Sequence, residues 1–468
     1  MRRFSLFLLL LSACTHSEIP RLAPLSAESP QRLWTKTIGE WIGGFDLSPD
    51  RGRLAVSGEA ITVLDTSNGS TQFELEQGAF AVAFSPDGSR LAAAGSEAVV
   101  WELKARARIG AHSLQQQNFS AIGWLDPDRV LAGLRTSQTT LVLPVADMER
   151  ATFTMRVSCD AVVVLPSRII LAADGKIWTV TPADDRDLLH GFEKSPFIRI
   201  AATPHLLAGG TVDGHIVVWE LGTDREVWRT RAHESAVRGL AFSPDGAYLA
   251  ECANDGVINL WEVRSGGCVA SIRAFSTIAV GAAWRDLRTV IAASAEGEVA
   301  AWDVSANTRA SIADLSAESA AAHGAMWALV QEGDKTVRTL ERMLRPPRGD
   351  AVAAEWIDAL ESPDPEEREQ ALGRLVELGW RGERAIRQAL LLDAPGVEAE
   401  GRLLTVLRVL IGSRDADPDA LFRERAIATL ERIGSVRAQR LLALLAIGSC
   451  SLRDRRSALD AFRRCRDG

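Results

Sequence analysis

The sequence has little cysteine, almost no tyrosine and no excess of positive charge. Its 468 residues include six Cys and one Tyr, against thirteen Trp and fourteen Phe. Six cysteines in a chain of this length do not form the dense disulfide framework of a small secreted protein. A net charge of −8 and a pI near 5.6 argue against a dedicated nucleic-acid-binding protein, whose binding face is strongly basic.

The composition nevertheless allows a large folded protein. The chain is 47% hydrophobic and 24% charged, so it can bury a core and is not disordered. At about 150 residues per domain, its length predicts about three domains. The same composition excludes a polytopic membrane protein, and it does not identify a function.

The first residues are typical of an export signal. Arg2 and Arg3 precede the apolar run Phe4–Leu11. As a helix this run covers only about 12 Å, too short to span the ~30 Å hydrocarbon core of a bilayer. The segment Leu11–Cys14 resembles the lipobox of bacterial lipoproteins, in which a branched residue and two small residues precede a cysteine.

That resemblance implies that residues 1–13 are removed and that Cys14 becomes the lipidated N-terminus. Two or three acyl chains, palmitate among them, give stable membrane anchoring that one chain does not. By a sorting rule of some two-membrane bacteria, Thr15 at the next position favours the outer membrane of the cell envelope. Residues 14–31 contain three prolines and are typical of a flexible tether. A plain cleavable signal with an incidental cysteine is the alternative.

A pattern of about forty residues repeats over residues 32–304. Its clearest copy, Val237–Glu262, has a strand, a Ser-Pro-Asp-Gly turn, a second strand, an Asp-Gly turn and a third strand ending near Trp261. Pro presets φ, and Asp and Gly tolerate the left-handed values that such turns need. Seven positions are equivalent to Trp261 in this pattern. They are Leu64, Trp101, Val142, Trp178, Trp219, Trp261 and Trp302. Seven units of three or four short strands predict an all-β, seven-bladed propeller.

The units resemble blades of the WD-repeat propeller family, most specifically in blades 2, 5, 6 and 7. In that family a His between blades, a Ser or Thr in the second strand, a turn Asp and the Trp form a hydrogen-bonded tetrad. The resemblance implies structural blade roles for seven residues. These are Asp213, Trp219, His233, Asp255, Trp261, Trp302 and Asp303. Because Glu251, Cys252 and Ala253 stand where Ser or Thr is expected, we predict an incomplete tetrad in blade 6.

The sequence also indicates how the ring closes. Leu33–Ile38 aligns with Val227–Ala232, an outermost strand that precedes a new blade. No blade precedes Leu33, and the last unit stops soon after Val304. We therefore predict that Leu33–Ile38 is the outer strand of the seventh blade, which buries the open edge of the ring.

After a linker at residues 305–315 the hydrophobic period becomes helical. Asp364, Pro365 and Glu367 occupy the N-cap, first and third positions of one helix. The other predicted helices are 316–330, 334–344, 352–361, 385–392, 398–411, 420–433, 437–447 and 452–465. The run 425–442 resembles HEAT-like repeats, whose stacked hairpins bind partners. Residues 316–468 are therefore predicted to be an all-α HEAT-like domain, and the domain order resembles bacterial envelope proteins that join the two folds.

The common catalytic motifs are missing from the sequence. It has no Gly-x-Ser-x-Gly elbow, P-loop, zinc-protease helix or Cys-x-x-Cys pair. Asp415–Asp419 resembles the start of a calcium loop, but Ala420 and Ala426 stand where Gly and a bidentate Glu are required. We predict no catalytic residue, no cofactor and no metal site.

Two cysteine pairs and a basic C-terminus need separate interpretation. Cys252 with Cys268, and Cys450 with Cys465, could bridge in an oxidising envelope, but buried free thiols are favoured. Six arginines lie between Arg453 and Gly468. A solvated helix face is the simpler interpretation, and an acidic partner or an anionic lipid headgroup is the alternative.

Two function classes follow. The first is a lipid-anchored, non-enzymatic scaffold of the bacterial cell envelope, which binds protein partners through the propeller surface and the helical solenoid and takes no nucleic acid or small-molecule substrate. The second is a quinoprotein-like or hydrolytic propeller enzyme with a site in the central channel, because Leu64–Gly69 and Trp219–Trp228 faintly resemble the blade motif of quinoprotein propellers. Convergent carboxylates or histidines in the channel favour the enzyme, and an apolar lining favours the scaffold.

Overall fold

The computed structural model describes residues 30–467 apart from a set of gaps. The gaps are 115–116, 135–138, 152, 156–160, 166–167, 174, 181–185, 192–194, 224, 306–311, 345–350, 379–385, 387–388, 390–400, 407–419 and 449–451. The chain divides into two compact units between Val304 and Ser305. The first unit is built of strands and the second of helices.

The first unit is a ring of seven antiparallel sheets, each of four strands. Blade 1 contains β2 (Gly44–Leu47), β3 (Arg53–Ser57), β4 (Ile61–Asp65) and β5 (Thr71–Leu75). Blade 2 contains β6 (Ala81–Phe84), β7 (Arg90–Ala94), β8 (Glu97–Glu102) and β9 (Ala107–Ser113). Blade 3 contains β10 (Phe119–Asp126), β11 (Arg129–Leu134), β12 (Thr140–Pro144) and β13 (Phe153–Met155). Blade 4 contains β14 (Ala161–Leu165), β15 (Arg168–Ala173), β16 (Lys176–Val180) and β17 (Arg186–Gly191). Blade 5 contains β18 (Phe197–Ala202), β19 (Leu206–Thr211), β20 (His215–Glu220) and β21 (Arg225–Arg231). Blade 6 contains β22 (Val237–Phe242), β23 (Tyr248–Ala253), β24 (Val257–Glu262) and β25 (Cys268–Arg273). Blade 7 contains β26 (Ala279–Trp284), β27 (Thr289–Ser294) and β28 (Glu298–Asp303), and its outer strand is β1 (Gln31–Thr37).

The seven predicted blades are confirmed, including the two whose motifs are eroded. Val142 lies in β12 and Trp178 in β16, the third strands of complete four-stranded sheets. The third strands are nearly continuous apolar runs, since they are covered on both faces by neighbouring blades. Apolar burial preserves these two blades although their turn motifs are lost.

Ring closure by the N-terminal strand is also confirmed. β1 pairs antiparallel with β28, from Gln31 opposite Asp303 to Thr37 opposite Glu298. The indole N–H of Trp34 donates to the carbonyl of Thr66 in blade 1, at 3.1 Å.

The outer strand of blade 5 makes the equivalent contact. Trp228 Nε1 donates to the carbonyl of Val263 in blade 6, at 2.7 Å. Below each indole lies a glycine with positive φ, Gly69 at 72° and Gly266 at 69°. A Cβ on Gly69 would lie 2.6 Å from the Trp34 ring, and one on Gly266 would lie 2.9 Å from Trp228. The strands β1 and β21, which align in sequence, therefore also make equivalent contacts with the next blade.

The Ser-Pro-Asp-Gly turns are held by their own side chains. In blade 2, Ser85 Oγ donates to Asp87 at 2.5 Å and accepts the Arg90 N–H at 2.9 Å. Gly88 in this turn has φ of 70°, which is a left-handed conformation. In blade 1 the same position is Arg51, with φ of 58°, and its guanidinium donates to the carbonyl of Trp284 in blade 7 at 2.9 Å.

Side chains also link consecutive blades, in a pattern that the sequence analysis missed. Arg90, the first residue of its second strand, donates to the carbonyl of Pro127 in the next blade at 3.0 Å. Trp124 donates to the carbonyl of Ala83 in the preceding blade at 2.9 Å. Trp284 of blade 7 makes the same bond to the carbonyl of Ala241 in blade 6, at 3.1 Å. These bonds fix the blades relative to one another.

The second unit is helical, as predicted. Its described helices are α1 (Ser319–Gln331), α2 (Asp334–Leu344), α3 (Ala351–Ala359), α4 (Pro365–Glu377), α5 (Ala420–Ile433), α6 (Val436–Gly448) and α7 (Leu452–Asp467). The predicted start of α4 is confirmed, because Asp364 caps it by accepting the Glu366 N–H at 2.9 Å. Residues 401–406 are also helical, whereas most of the predicted helix 385–392 and the run Asp415–Asp419 lie outside the described residues.

Packing within the helical unit brings together distant parts of its sequence. The buried Arg425 of α5 donates to the carbonyls of Leu315 and Ala317, each at 2.7 Å. Arg464 of α7 forms two bonds to the buried Glu431, at 2.6 and 3.0 Å. The HEAT-like arrangement stays a prediction. Among the described residues, no helix has the length and apolar character needed to cross a membrane.

Candidate functional site

A buried polar network lies in blade 6 and joins three of the predicted blade residues. His233, in the loop between β21 and β22, places Nδ1 2.7 Å from Asp255 Oδ2. Its Nε2 lies 2.8 Å from both carboxylate oxygens of Glu251. Trp261 Nε1 donates to Glu251 at 3.3 Å, and Asn259 Nδ2 donates to the same oxygen at 2.7 Å. The histidine side chain is therefore bracketed by two carboxylates.

The expectation of an incomplete tetrad in blade 6 is wrong. Glu251, on the second strand β23, is fully buried and takes the place of the expected Ser or Thr by accepting from His233 and Trp261. A carboxylate side chain is longer than a hydroxyl side chain and brings charge, so it replaces a neutral contact by an ion pair. The family motif specifies a hydroxyl at this position, so the sequence alone does not predict a carboxylate in the same role.

The two carboxylates control the protonation of the histidine. Burial by itself would lower the pKa of His233, but the hydrogen bonds and charges of Asp255 and Glu251 outweigh it and raise that pKa from 6.5 to about 9. Burial opposes ionisation of Asp255, yet His233 outweighs it and lowers the pKa of that carboxyl. At neutral pH the network contains an imidazolium, and its chemistry is that of a buried ion pair.

The other predicted blade residues make local contacts. In blade 5, Asp213 accepts from Thr211 at 2.6 Å and lies 3.0 Å from His215 Nδ1. Trp219 packs edge-on against Phe197, with ring centroids 5.6 Å apart. In blade 7, Trp302 packs edge-on against Phe275 at 5.7 Å. Asp303 pairs with Arg288 at 2.9 Å.

The central channel is formed by the first strand of each blade, which contacts the first strands of both neighbours. These seven strands are mainly apolar, and their only carboxylates are Asp46 and Asp126. Asp46 accepts the backbone N–H of Phe84 in blade 2 at 2.8 Å. Burial raises the pKa of Asp46 to about 6, against the effect of its backbone hydrogen bonds. Asp126 is paired with Arg129 at 2.6 Å.

Both channel carboxylates thus make bonds within the fold. Within the described parts of the chain, no group of three or more His, Cys, Asp or Glu side chains is arranged to hold a metal ion. Cys252 and Cys268 are both free thiols, the first buried and the second partly so, and Cys465 is also free. Cys450 lies outside the described residues.

One face of the propeller carries a contiguous set of loops at blades 7, 1 and 2. Backbone hydrogen bonds join segment 38–42 to 295–297 and segment 57–60 to 76–80, and the N–H of Gly43, next to the first segment, donates to the carbonyl of Ser57 at 3.0 Å. The N–H groups of Ile38 and Ile42 donate to the carbonyls of Gly297 and Ala295, at 2.7 and 3.1 Å. The N–H of Ala79 donates to the carbonyl of Gly58 at 3.0 Å.

This loop set carries two partly exposed aromatic rings. Trp41 and Phe80 lie with ring centroids 5.8 Å apart. Four exposed glutamates stand on the same segments, namely Glu40, Glu59, Glu76 and Glu296. We refer to these two rings and four carboxylates as the Trp41 patch. The sequence pattern did not single it out because its residues fall outside the blade motif.

Comparison with known proteins agrees with the fold. Residues 200–287 match the family model of the anaphase-promoting complex subunit 4 WD40 domain. The chain is 46% identical over 61 residues to centriole proteome protein 16 of Chlamydomonas reinhardtii, which covers 12% of this chain and 3% of that protein. It is 30% identical over 90 residues to the periodic tryptophan protein 2 homolog of Caenorhabditis elegans, covering 19% and 10%. The chain therefore spans at most about an eighth of the length of the relatives that it matches.

A solved structure extends the comparison to the whole ring. The β-propeller domain of Cps50 (Swd1) from Myceliophteria thermophila superposes with a TM-score of 0.52 at 14% identity, covering 59% of this chain and 99% of that one. This likeness concerns the fold alone. Together with the seven sheets and the closure by β1, it shows that the N-terminal unit is a seven-bladed β-propeller, and the match over residues 200–287 supports its resemblance to WD40 repeats.

Proposed function

We propose that the protein is a non-enzymatic interaction scaffold, anchored to the bacterial cell envelope by lipid on Cys14, that binds protein partners through its propeller and its helical unit. WD40 propellers generally serve as protein-interaction scaffolds. The observation that carries the proposal is the loop face of blades 7, 1 and 2, whose loops are joined by backbone hydrogen bonds and present partly exposed aromatic rings and exposed carboxylates. Rigid surfaces of this kind bind with little loss of conformational entropy.

The channel supports the scaffold over the propeller enzyme. Its two carboxylates belong to different blades, and each is held by a partner within the fold. A hydrolytic or quinoprotein-like site needs convergent groups that face a substrate. The proposal therefore assigns recognition to the outer surfaces of the propeller.

Chemical crosslinking in native membranes tests the scaffold proposal. The full chain with an affinity tag is crosslinked, purified under denaturing conditions and analysed for crosslinked peptides. We expect specific proteins joined to propeller loops, above those recovered with an equally abundant lipoprotein. Absence of any specific crosslink to the propeller would contradict the proposal.

The anchor proposal rests on the lipobox Leu11–Cys14 and is tested separately. We expect Cys14→Ala to move the protein into the soluble fraction and to remove the acyl mass from its N-terminal peptide. Cys268→Ala is the matched control, because it removes a thiol of the propeller, and it should stay with the membrane. Membrane retention of Cys14→Ala would refute the anchor.

A further inference from the structure

We propose that the Trp41 patch is a docking site for a partner segment rich in lysine and arginine. The inference rests on the proposed scaffold function and adds to it the location of one binding surface and the charge of its partner. It is carried by the combination of partly exposed aromatic rings, carboxylates that form no ion pair with a described residue, and loops held together by backbone contacts.

The glutamates of the patch differ from their neighbours in lacking a cation. Glu97 and Glu298, on strands of blades 2 and 7, are paired with Arg108 and Arg32 at 2.6 and 3.2 Å. The four glutamates of the patch form no ion pair with any described residue, and the segments that carry them contain no lysine or arginine. The fold therefore places four like charges on neighbouring loops, which favours binding of a cationic partner.

The aromatic rings supply the apolar part of the surface. Trp41 and Phe80 are partly exposed and tilted by 38° to one another. Trp is the best aromatic partner for a cation, and Lys and Arg pack their aliphatic stems on apolar surface while their charged ends stay in contact with water or carboxylates. Aromatic rings next to carboxylates can therefore contact both the aliphatic stem and the charged end of a Lys or Arg side chain.

The backbone of the patch is held in place before any partner binds. A Cβ on Gly43 would lie 2.6 Å from the carbonyl oxygen of Phe80, and one on Gly58 would lie 2.6 Å from that of Trp41. The loops are thus in direct backbone contact as well as hydrogen-bonded. A surface with fixed loops loses little entropy on binding.

The charge of the Trp41 patch indicates which class of partner it can bind. Acidic segments and nucleic acids are repelled by the four carboxylates. A metal ion does not fit, since the glutamates come from four separate loops and no described cluster is arranged to ligate one. A peptide carrying several Lys or Arg side chains can contact rings and carboxylates together.

Fluorescence anisotropy of the full mature chain with labelled peptides tests the proposal. The probes are two twelve-residue peptides of matched hydrophobic content, one with six Lys or Arg and one with six Glu. The test variant carries Glu40→Gln, Glu59→Gln, Glu76→Gln and Glu296→Gln. The matched control removes the same number of exposed carboxylates elsewhere on the propeller, with Glu74→Gln, Asp128→Asn, Glu149→Gln and Glu234→Gln.

We expect the basic peptide to bind at least tenfold more tightly than the acidic one, and its affinity to fall as salt is raised. The test variant should lose at least tenfold in affinity, and the control less than twofold. Trp41→Leu should weaken binding while leaving the salt dependence unchanged. Equal loss in the two quadruple variants, or equal binding of the two peptides, would overturn the proposal. Circular dichroism melts establish that each variant is folded, and the substituted glutamates are exposed, so we expect unchanged melting curves.

Failure of this inference can be told apart from failure of the scaffold proposal. If native partners crosslink to other propeller surfaces and the quadruple patch variant retains them, the patch is refuted and the scaffold stands. If no specific partner crosslinks to the propeller, the scaffold proposal itself is refuted.

Discussion

Substitution of His233 by Gln should remove a pH-dependent part of the stability of the propeller. His233 has its pKa raised from 6.5 to about 9 by the carboxylates that bracket it. At 1.36 kcal/mol per pKa unit, the shift corresponds to about 3 kcal/mol of stability. Because the folded pKa is the higher one, this contribution is complete below pH 6.5 and is lost as the pH rises to 9 and above. Wild type should therefore become less stable across this range.

The assay is urea unfolding followed by tryptophan fluorescence at several pH values from 6 to 10. We expect the free energy of unfolding of wild type to fall by about 3 kcal/mol more than that of His233→Gln over this range. His205→Gln is the matched control, since this histidine is exposed in a turn of blade 5, and it should follow the wild-type profile. Parallel profiles for wild type and His233→Gln would refute the assignment of a buried imidazolium to blade 6.

Three further substitutions test other parts of the structure. Gly69→Ala should lower the free energy of unfolding by at least about 1 kcal/mol more than Gly39→Ala, because both have positive φ but only the former would press a Cβ against Trp34. Burial raises the pKa of Asp46 from 3.8 to about 6, so ionisation of this carboxyl destabilises the folded protein. Asp46→Asn should therefore gain up to about 3 kcal/mol of stability relative to wild type as the pH rises from 4 to 7. Denaturant titrations at each pH measure this difference. Arg425→Met should leave the carbonyls of Leu315 and Ala317, the first buried and the second partly buried, without their side-chain donor, at a cost of about 2 kcal/mol. Amide hydrogen exchange should become faster in α1 and α5 and stay unchanged in the propeller blades.

The propeller could be predicted from the sequence because each blade repeats the same local chemistry. The third strand ends on a large apolar residue, and the turn before the second strand has residues that set its φ values. Copies such as those around Val142 and Trp178 could still be placed, since the neighbouring copies fix the spacing. The closing strand could be predicted because Trp34 occupies the position that Trp228 holds in blade 5, and the structure gives the two indoles equivalent partners.

Features that depend on contacts between blades could not be predicted in the same way. Glu251 was expected to break the tetrad, but its longer side chain spans to His233 and Trp261. Arg51 adopts a left-handed conformation in a position where other blades have Gly, and its bond to Trp284 depends on which blade lies next to it. The recurrence of a bulky aromatic at Trp124 and Trp284 was a usable signal for the bonds of their indoles, although it lies outside the family motif.

The candidate binding surface is even less visible in the sequence. Glu59 and Glu296 belong to loops separate from that of Trp41, and only the ring topology brings those loops next to segment 38–42. Isolated glutamates in loops are ordinary solvated residues, so no local pattern marks them. In the helical unit a local pattern is visible, because the cap at Asp364 marks the start of α4. That pattern does not reveal which helices pack together.

Amide hydrogen exchange of the full chain, alone and bound to a partner recovered by crosslinking, tests the scaffold proposal most directly. We predict slower exchange in propeller loops that contact the partner, with the segments 38–42, 57–60, 76–80 and 295–297 among them if the partner is basic, and unchanged exchange in the first strands that line the channel. Protection confined to the first strands, with no change in any propeller loop, would contradict the proposal that partners bind the outer surface of the ring.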